Sequence, residues 1–494
     1  MRPLMLSFAL LFAAPVVIAP AVAAPAPAAT APAVLPAQVV QKIDALFAPW
    51  TRSDAPGCPI SVTRDGQAVF ERGYGMADLE QGVAIRPDTV FNIASLSKQF
   101  TTASISLLEQ DGKLSWDDDV RRYIPELPDY GTPITLRHLA NHTSGLRDWL
   151  GLLELAGWNW VDEATESQVL SAIVRQKQLN FPTGSRYLYS NSGYILLAII
   201  VDRVSGQSLG DFSRARIFEP LGMLHTRFYD DRTMIMPNRA IGHLLREDGS
   251  LGIWRPTYEI VGDGAVLTSV QDMQRWERNF LTPTLGREPQ AFVDGLLRNG
   301  VLNDGKQIDY ALALTHGQYR GLPTVSHSGG IPGYATNMLR FPSQKVSVTV
   351  LCNQGNSPAT ALTQAVADVV LEGRFSSGSA TKAPERPAPY QPDPKQAKAT
   401  IAVKLAEHVG RYYSDELDVT YALSADTAAN ALVTQIGHLP PVRFVATRAD
   451  HFEGASEDND GVTLDFKRDA GGKVTGFTLE TGRLKGLGFQ RLQE

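Results

Sequence analysis

The strongest chemical signal in this chain of 494 residues is a serine followed three residues later by a lysine. Ser95 and Lys98 stand at the start of a predicted helix, and this spacing places both side chains on one helix face, with about 5–6 Å between their Cβ atoms. A serine hydroxyl is a weak nucleophile, and an adjacent amine of lowered pKa can remove its proton. The start of a helix also carries unpaired backbone N–H groups that can stabilise an oxyanion. Taken alone, such a pair also arises by chance on a protein surface.

Two further residues able to do chemistry occur in Tyr189-Ser190-Asn191. A tyrosine can relay a proton where cations lower its pKa. Asn191 can both donate to and accept from a substrate amide. By itself, Tyr189 also fits a half-buried core tyrosine, so its role depends on what lies beside it.

A third motif, His327-Ser328-Gly329-Gly330, follows a strand-like segment and precedes a turn. Two successive glycines let a ligand backbone approach closely. His327 is either a ligand-binding side chain or a hydrogen-bonded structural histidine. The residues that we expect to bind substrate are Asn191, His327, Ser328, Gly329 and Gly330.

The elements around these motifs predict an α+β fold. An Asp65-Gly66 turn between two alternating runs indicates a hairpin. Apolar residues recur at helical spacing from Leu96 to Leu107, and Gly112 ends that helix. Strand-like runs over 337–341 and 346–351 close the region. Strands at both ends with helices between them favour one antiparallel sheet packed on a helical body.

The N-terminus has the composition of a targeting segment. Residues 1–23 are typical of a secretory signal peptide, because a positive start is followed by an apolar run and by small residues at a cleavage site. Residues 24–38 form an Ala/Pro-rich tether without a packed core. We therefore expect the protein to be exported, either to a periplasm or to the medium.

The rest of the chain divides at a second proline-rich stretch. Residues 39–373 form the large domain, which we expect to be the hydrolase domain. Residues 374–402 contain Pro384, Pro387, Pro389, Pro392 and Pro394, which is typical of an interdomain linker. Residues 403–494 show short alternating strands, which predict a small antiparallel β-barrel-like domain.

Composition excludes several classes of function. The net charge of −6 argues against a nucleic-acid-binding surface. Beyond the leader, no segment offers about 18 uninterrupted apolar residues, so we expect no membrane span in the mature chain. Two cysteines are too few for a structural zinc site, and H-E-x-x-H is missing from the sequence. We expect neither a metal nor a cofactor.

The three motifs, taken in this order, resemble those of the serine β-lactamase and penicillin-binding-protein superfamily. The resemblance covers about residues 39–373, and Tyr-x-Asn in place of Ser-x-Asn is similar to the class C β-lactamase and D-peptidase branch. It implies that Ser95 is the nucleophile and that Lys98 and Tyr189 share the proton transfers. It also implies that the backbone N–H groups of Ser95 and Gly330 form the oxyanion hole. Ser144 is a rival nucleophile, but no lysine follows it three residues later.

The third motif departs from the β-lactamase pattern, in which a lysine usually stands at the position of His327. Histidine is mostly neutral near pH 7. We therefore expect the cleft to lack the cation that recruits substrate carboxylates, and uncharged esters or amides to be the better substrates. His-x-Gly is similar to the D-aminopeptidases and esterases of the superfamily.

The expected function is that of an exported serine hydrolase that acts through an acyl-enzyme on Ser95. Its type is that of a D-aminopeptidase, D-peptidase or amide hydrolase, and its partner is a small-molecule or short-peptide substrate. A carboxylesterase or a weak β-lactamase is the alternative within the superfamily. A catalytically inactive binding or scaffold protein is the alternative of another class, against which the intact set of Ser95, Lys98 and Tyr189 argues. The oligomeric state stays open.

The two cysteines lie at opposite ends of the large domain in sequence. Cys58 begins the first strand and Cys352 ends the last. The resemblance implies that these strands are antiparallel neighbours, which brings the two residues close together. An oxidising compartment would permit a disulfide. Two buried free thiols are an equally open alternative, because the strand register is unknown.

The C-terminal domain, which contains Glu407-His408-Val409-Gly410-Arg411-Tyr412-Tyr413, resembles the barrels appended to D-aminopeptidase-like proteins. The resemblance implies that it borders the cleft and restricts substrate size. Because all three motifs precede the linker, we expect this domain to be dispensable for the chemistry.

Overall fold

The structure, a computed structural model, describes residues 34–493 except 247, 255–256, 258, 377, 379–400, 402, 438 and 455–460. The predicted signal peptide lies outside the described residues, as do most of the predicted tether and most of the predicted linker. No helix within the described ranges is long and apolar enough to cross a membrane.

Groups of strands and groups of helices follow one another in the described part of the chain before the linker. The strands are β1 (Cys58–Arg64), β2 (Gln67–Tyr74), β3 (Met76–Asp78), β4 (Val83–Ala84), β5 (Phe91–Asn92), β6 (Arg227–Phe228), β7 (Gly242–Leu245), β8 (Leu251–Trp254), β9 (Val266–Thr268), β10 (Thr315–Tyr319), β11 (Leu322–Ile331), β12 (Tyr334–Phe341) and β13 (Val346–Cys352). The helices are α1 (Ala37–Phe47), α2 (Lys98–Gln110), α3 (Leu136–Ala140), α4 (Trp149–Leu155), α5 (Glu166–Val174), α6 (Ser192–Ser205), α7 (Leu209–Ser213), α8 (Glu219–Leu221), α9 (Val270–Asn279), α10 (Pro289–Leu296) and α11 (Ala359–Val370).

The central element is an antiparallel sheet. Among the described residues it has six strands in the order β10-β11-β12-β13-β1-β2. The first and last segments of the domain therefore pair in its middle, and β1 is hydrogen-bonded to β13 with Ile60 opposite Val350. Helices α1 and α11 share one apolar cluster with this sheet. A second cluster on α2 and α6 forms the core of the helical body. The predicted α+β fold is confirmed.

The predicted hairpin is also present. Strands β1 and β2 are joined at Asp65 and Gly66, whose φ angles are 50° and 75°. A two-residue turn with both φ angles positive matches the twist of antiparallel strands, and Asp-Gly adopts it readily. The hairpin places the N-terminal strand in the register that pairs with β13.

The two cysteines form a disulfide. Cys58 and Cys352 are bonded to each other, and their Cα atoms are 4.2 Å apart. The register that sets Ile60 opposite Val350 brings the start of β1 to the end of β13. The structure thus decides between the two alternatives left open by the sequence, and both residues are fully buried.

We predict that this disulfide stabilises the protein by about 2–5 kcal/mol, because it closes a long loop in the unfolded chain. The measurement is the free energy of unfolding by denaturant, with and without a thiol reductant. The double variant Cys58→Ala/Cys352→Ala is the control, since reductant should no longer change its stability. Two alkylatable thiols in the non-reduced protein would contradict the prediction.

The C-terminal segment is a β-barrel. Its strands are β14 (Gly410–Ser414), β15 (Val419–Asp426), β16 (Ala431–Thr434), β17 (Val442–Arg448), β18 (His451–Gly454), β19 (Val462–Arg468), β20 (Val474–Thr481) and β21 (Leu484–Arg491). In the described residues these eight strands close in sequence order, with β14 paired to β21. Alternating apolar side chains fill the barrel interior. The predicted antiparallel barrel is confirmed.

The barrel packs firmly against helices α4 and α5. Leu152 and Ala172 of those helices belong to the same apolar cluster as the barrel interior. Arg147, which is 1% exposed in its side chain, forms an ion pair of 2.6 Å with Glu416 of the barrel. Its guanidinium also donates to the carbonyl of Lys485 at 2.8 Å. Removing one partner from a buried ion pair is strongly destabilising, so the barrel is an integral part of this fold.

Candidate active site

Ser95 lies on a tight turn that directly precedes helix α2. The residue before it, Ala94, has a φ of +48°, a conformation that is uncommon for a residue with a Cβ atom. Its N–H donates to Asn92 Oδ1 at 2.9 Å. On the other side the turn packs on β11, where a Cβ atom at Gly329 would lie 2.4 Å from the carbonyl oxygen of Ile93. Gly329 is therefore required by packing, and the strained turn fixes the position of Ser95.

Lys98 is buried behind Ser95 in an arrangement that suits a neutral amine. Its Nζ lies 3.1 Å from Ser95 Oγ and 2.9 Å from Asn191 Oδ1, and it also contacts the carbonyl oxygen of Asp263. A neutral amine has two N–H groups and one lone pair. The oxygens of Asn191 and Asp263 can accept the two N–H groups, which leaves the lone pair facing the serine hydroxyl. The geometry thus brings a proton acceptor to a potential nucleophile.

Burial lowers the pKa of Lys98 to about 8, although the nearby Asp263 and Asp148 act in the opposite direction. Desolvation disfavours the charged ammonium form, and Asp263 and Asp148 favour it. A substantial fraction of the amine is therefore neutral near physiological pH, whereas an exposed lysine would be almost fully protonated.

We predict that kcat/KM rises with pH and levels off above about pH 8, because only the neutral Lys98 can accept the Ser95 proton. The substrate should be a nitrophenyl acetate, which carries no titrating group of its own in this range. The profile is measured from about pH 6 to about pH 10. A rate that is independent of pH across this range would contradict a role for Lys98 as the base.

Tyr189 lies beside both Ser95 and Lys98. The Nζ of Lys98 is 5.1 Å from the centre of its ring. Burial raises the pKa of Tyr189 well above its ordinary value, and a hydrogen bond with Ser95 and the charge of Arg483 oppose this only in part. The cations near Tyr189 therefore do not hold it as a phenolate. At neutral pH it is a phenol, which can give a proton rather than take one.

His327 is placed as a neutral, internally bonded imidazole. Its Nδ1 is 2.7 Å from the carbonyl oxygen of Ser328 and must therefore carry the hydrogen. The hydroxyl of Tyr310 can then donate to Nε2, 2.9 Å away. Burial lowers the pKa of His327 to about 4. The side chain is 7% exposed and carries no positive charge at neutral pH.

An open cleft of about 1030 Å³ contains the predicted serine, tyrosine and asparagine. Ser95, Tyr189, Asn191 and Gly330 line it, whereas His327, Ser328 and Gly329 are not among its described lining residues. A Cβ atom at Gly330 would contact nothing within 4 Å, so this glycine faces open space. The structure thus brings Ser95, Lys98, Tyr189, Asn191 and Gly330 together.

Two acidic residues of the site were missed by the sequence analysis. Asp148 accepts the backbone N–H of Asn191 at 2.7 Å and so fixes the start of α6. Asp263 accepts the indole N–H of Trp149 at 2.9 Å, and burial raises the pKa of its carboxyl. Neither belongs to a motif that specifies its role. The rival Ser144 is buried, and its Oγ accepts the N–H of Leu146 at 3.2 Å.

The barrel completes the cleft. Residues of the β20–β21 turn, Thr481 to Leu484, line it, together with Ile436 and Leu439 to Arg443. Arg483 from this turn lies over Tyr189, with its Cζ 5.0 Å from the ring centre. The sequence resemblance implied that the barrel borders the cleft, and the structure places it there.

Comparisons with known proteins agree with this geometry. The Beta-lactamase family model matches residues 37–371. Penicillin-binding protein 4* of Bacillus subtilis (strain 168) is 31% identical over 364 residues, which cover 70% of this chain and 77% of that protein. A D-aminopeptidase of Gluconobacter oxydans (strain 621H) is 28% identical over 321 residues, or 64% of this chain and 59% of that enzyme. The chain therefore spans less than two thirds of the length of that second relative.

A solved structure shows the same fold over nearly the whole chain. The octameric penicillin-binding protein homologue from Pyrococcus abyssi has a TM-score of 0.62 and 23% identity, and the match covers 91% of this chain and 99% of that one. The family model and the relative from Bacillus subtilis confirm the superfamily inferred from the three motifs. The chain belongs to the β-lactamase family, with penicillin-binding proteins and D-aminopeptidases among its relatives, and is a serine hydrolase.

Proposed function

We propose that this protein hydrolyses the amide bond that follows a D-amino acid residue in a small amide or short peptide, through an acyl-enzyme on Ser95. The observation that carries the proposal is the 3.1 Å approach of the buried Lys98 amine to Ser95 Oγ. The name of the D-aminopeptidase relative supports the substrate class.

In the proposed first step, Ser95 Oγ attacks the carbonyl carbon while its proton passes to the neutral Lys98 amine. The backbone N–H groups of Ser95 and Gly330 donate hydrogen bonds to the carbonyl oxygen and stabilise the negative charge that develops on it. Tyr189, held as a phenol by its burial, gives a proton to the departing amine. Lys98 can then restore the proton of Tyr189.

In the second step, a water molecule attacks the ester carbonyl of the acyl-enzyme. Its proton passes to the neutral Lys98 amine, while Tyr189 gives a proton to Ser95 Oγ, which leaves as the hydroxyl. Lys98 then restores the proton of Tyr189. Asn191 is positioned to bind the substrate amide, because its side-chain oxygen faces Lys98 and its backbone is fixed by Asp148. No step requires a group from outside the chain other than water.

We also propose that the protein is exported. Residues 1–23 support this by their composition. The disulfide between Cys58 and Cys352 supports it as well, because such bonds persist in oxidising compartments. Fractionation of the natural host tests this: recovery of the uncleaved protein in the cytoplasm would contradict it.

The test of the function is a substrate panel that separates the alternatives. It contains D-alanine amide, L-alanine amide, a nitrophenyl ester and a cephalosporin. The proposal expects D-alanine amide to have a kcat/KM well above that of the L-isomer and the cephalosporin. A preference for the ester alone would indicate a carboxylesterase, and no turnover together with no labelling by a fluorophosphonate would indicate an inactive binding protein.

A further inference from the structure

The third motif of this chain supplies no positive charge, but the cleft does contain one. His327 is neutral because it is buried and its two ring nitrogens are bonded within the protein. On the described lining of the cleft, the basic side chains with a formal charge are Arg443 and Arg483, both from the barrel. Arg443 forms an ion pair of 2.9 Å with Asp426 of β15, within the barrel. Arg483 lies beside Tyr189, with its Cζ 5.0 Å from the ring centre.

The backbone of Arg483 is fixed against the helical body. Asn180 Nδ2 donates to its carbonyl oxygen at 2.7 Å, and the N–H of Lys485 donates to Asn180 Oδ1 at 2.8 Å. The next residue, Leu484, is buried against Gly151, where a Cβ atom would lie 2.5 Å from the leucine side chain. The turn is therefore held on both sides, and Arg483 projects from a fixed point.

The guanidinium of Arg483 is oriented but accessible. Its Nη1 lies 3.3 Å from Asp148 Oδ2, the carboxylate that also accepts the N–H of Asn191. The Arg483 side chain is 45% exposed to solvent. A guanidinium has five N–H donors in a planar fork, so one that contacts a carboxylate can still bind a second. Asp148 thus holds the fork next to the residue proposed to bind the substrate amide.

We propose that Arg483, supplied by the barrel, binds the carboxylate of acidic substrates and selects peptides with a free C-terminal carboxylate. The reaction in this inference is that of the proposed function, on which it rests, and the specificity follows from the position of Arg483. The positive charge that a lysine supplies at the position of His327 in β-lactamases is then supplied here by the barrel. Uncharged substrates are then no longer expected to be the better ones, in contrast to the expectation drawn from His327 alone.

The variant that tests this is Arg483→Gln, measured with two matched pairs of compounds. The first pair is D-Ala-D-Ala and its C-terminal amide, compared by kcat/KM. The second pair is benzylpenicillin and its methyl ester, compared by the rate at which they acylate Ser95. In each pair the compounds differ in the negative charge, so the ratio reports the charge contact and not the general activity.

We expect Arg483→Gln to lower both acid-to-neutral ratios about tenfold, or about 1.4 kcal/mol. Arg483→Lys should restore part of the ratio, and Arg443→Gln, on the same cleft, should leave it unchanged. If the wild type cleaves neither peptide but Arg483→Gln still lowers the penicillin ratio, the proposed function is overturned and this inference is not. Unchanged ratios in Arg483→Gln, or a wild type that processes neither acid faster than its neutral partner, would overturn the inference.

Discussion

Replacement of Ser95 by alanine should lower kcat/KM by roughly 10⁴-fold or more for every substrate that the wild type hydrolyses. The hydroxyl is the atom that forms the covalent bond, and in the described structure Ser95 Oγ is the hydroxyl beside the Lys98 amine. The variant should fold normally, because the substitution removes only a hydroxyl group. The neighbouring position in the same segment, Ala94, is already an alanine. The measurement is kcat/KM together with labelling by a fluorophosphonate.

Ser144→Ala is the matched control for this experiment. Ser144 was the rival nucleophile, and its hydroxyl is buried and bonded to the backbone of Leu146. The control variant should therefore retain fluorophosphonate labelling, whereas Ser95→Ala should lose it. Labelling that persists in Ser95→Ala would remove Ser95 from the mechanism.

The second large effect is expected from Lys98 and Tyr189 acting as one proton-transfer unit. Lys98→Met and Tyr189→Phe should each lower kcat/KM by roughly 10³-fold, and the double variant should lose little more than either alone. The reason is that both side chains flank the same serine, so the loss of either interrupts the same transfer. The measurement is the double-mutant cycle on one amide substrate, with thermal unfolding used to verify that each variant is folded.

The result that contradicts a shared unit is additivity. If the fold-losses of the two single variants multiply in the double variant, Lys98 and Tyr189 act in separate steps. A Tyr189→Phe variant of near-normal activity would likewise show that the phenol is not the proton donor to the leaving amine.

Sequence patterns predicted the secondary-structure elements whose conformation depends on residues close together in the chain. Asp65 and Gly66 favour a two-residue turn by their residue types, so the hairpin that they form could be predicted. Ser95 and Lys98 are brought together by one turn of backbone, although the α-helix itself begins at Lys98 and Ser95 lies in the short 3₁₀-helix Ala94–Ser97 before it. The alternating strands after the linker predicted a barrel because period-two burial is a local property.

The charges of the site could not be predicted in this way. That His327 is neutral was expected from its residue type, but burial also raises the pKa of Tyr189, which a sequence does not reveal. Asp148 and Asp263 reach Asn191 and Lys98 only through tertiary packing. No pattern around Arg483 indicates that a barrel turn lies over a tyrosine nearly 300 positions earlier in the chain.

The role of the barrel is the clearest case of such long-range dependence. From the position of the motifs alone, a chain that ends before the linker carries the whole catalytic set, and its activity on small esters remains a prediction. In the structure, however, such a truncation would remove Glu416 from the buried Arg147 and expose Leu152. Point substitutions in the intact chain, such as Arg483→Gln, therefore separate specificity from folding more clearly than truncation does.

The most direct test of the proposed mechanism is to trap the acyl-enzyme and locate the acylated residue by mass spectrometry. The wild type is mixed with an excess of a slowly hydrolysed ester or β-lactam, quenched in acid and digested. We predict one acyl group per chain, on the peptide that contains Ser95, and no acylation of the Ser95→Ala variant. Acylation at any other residue, or turnover of that compound without a covalent intermediate on Ser95, would contradict it.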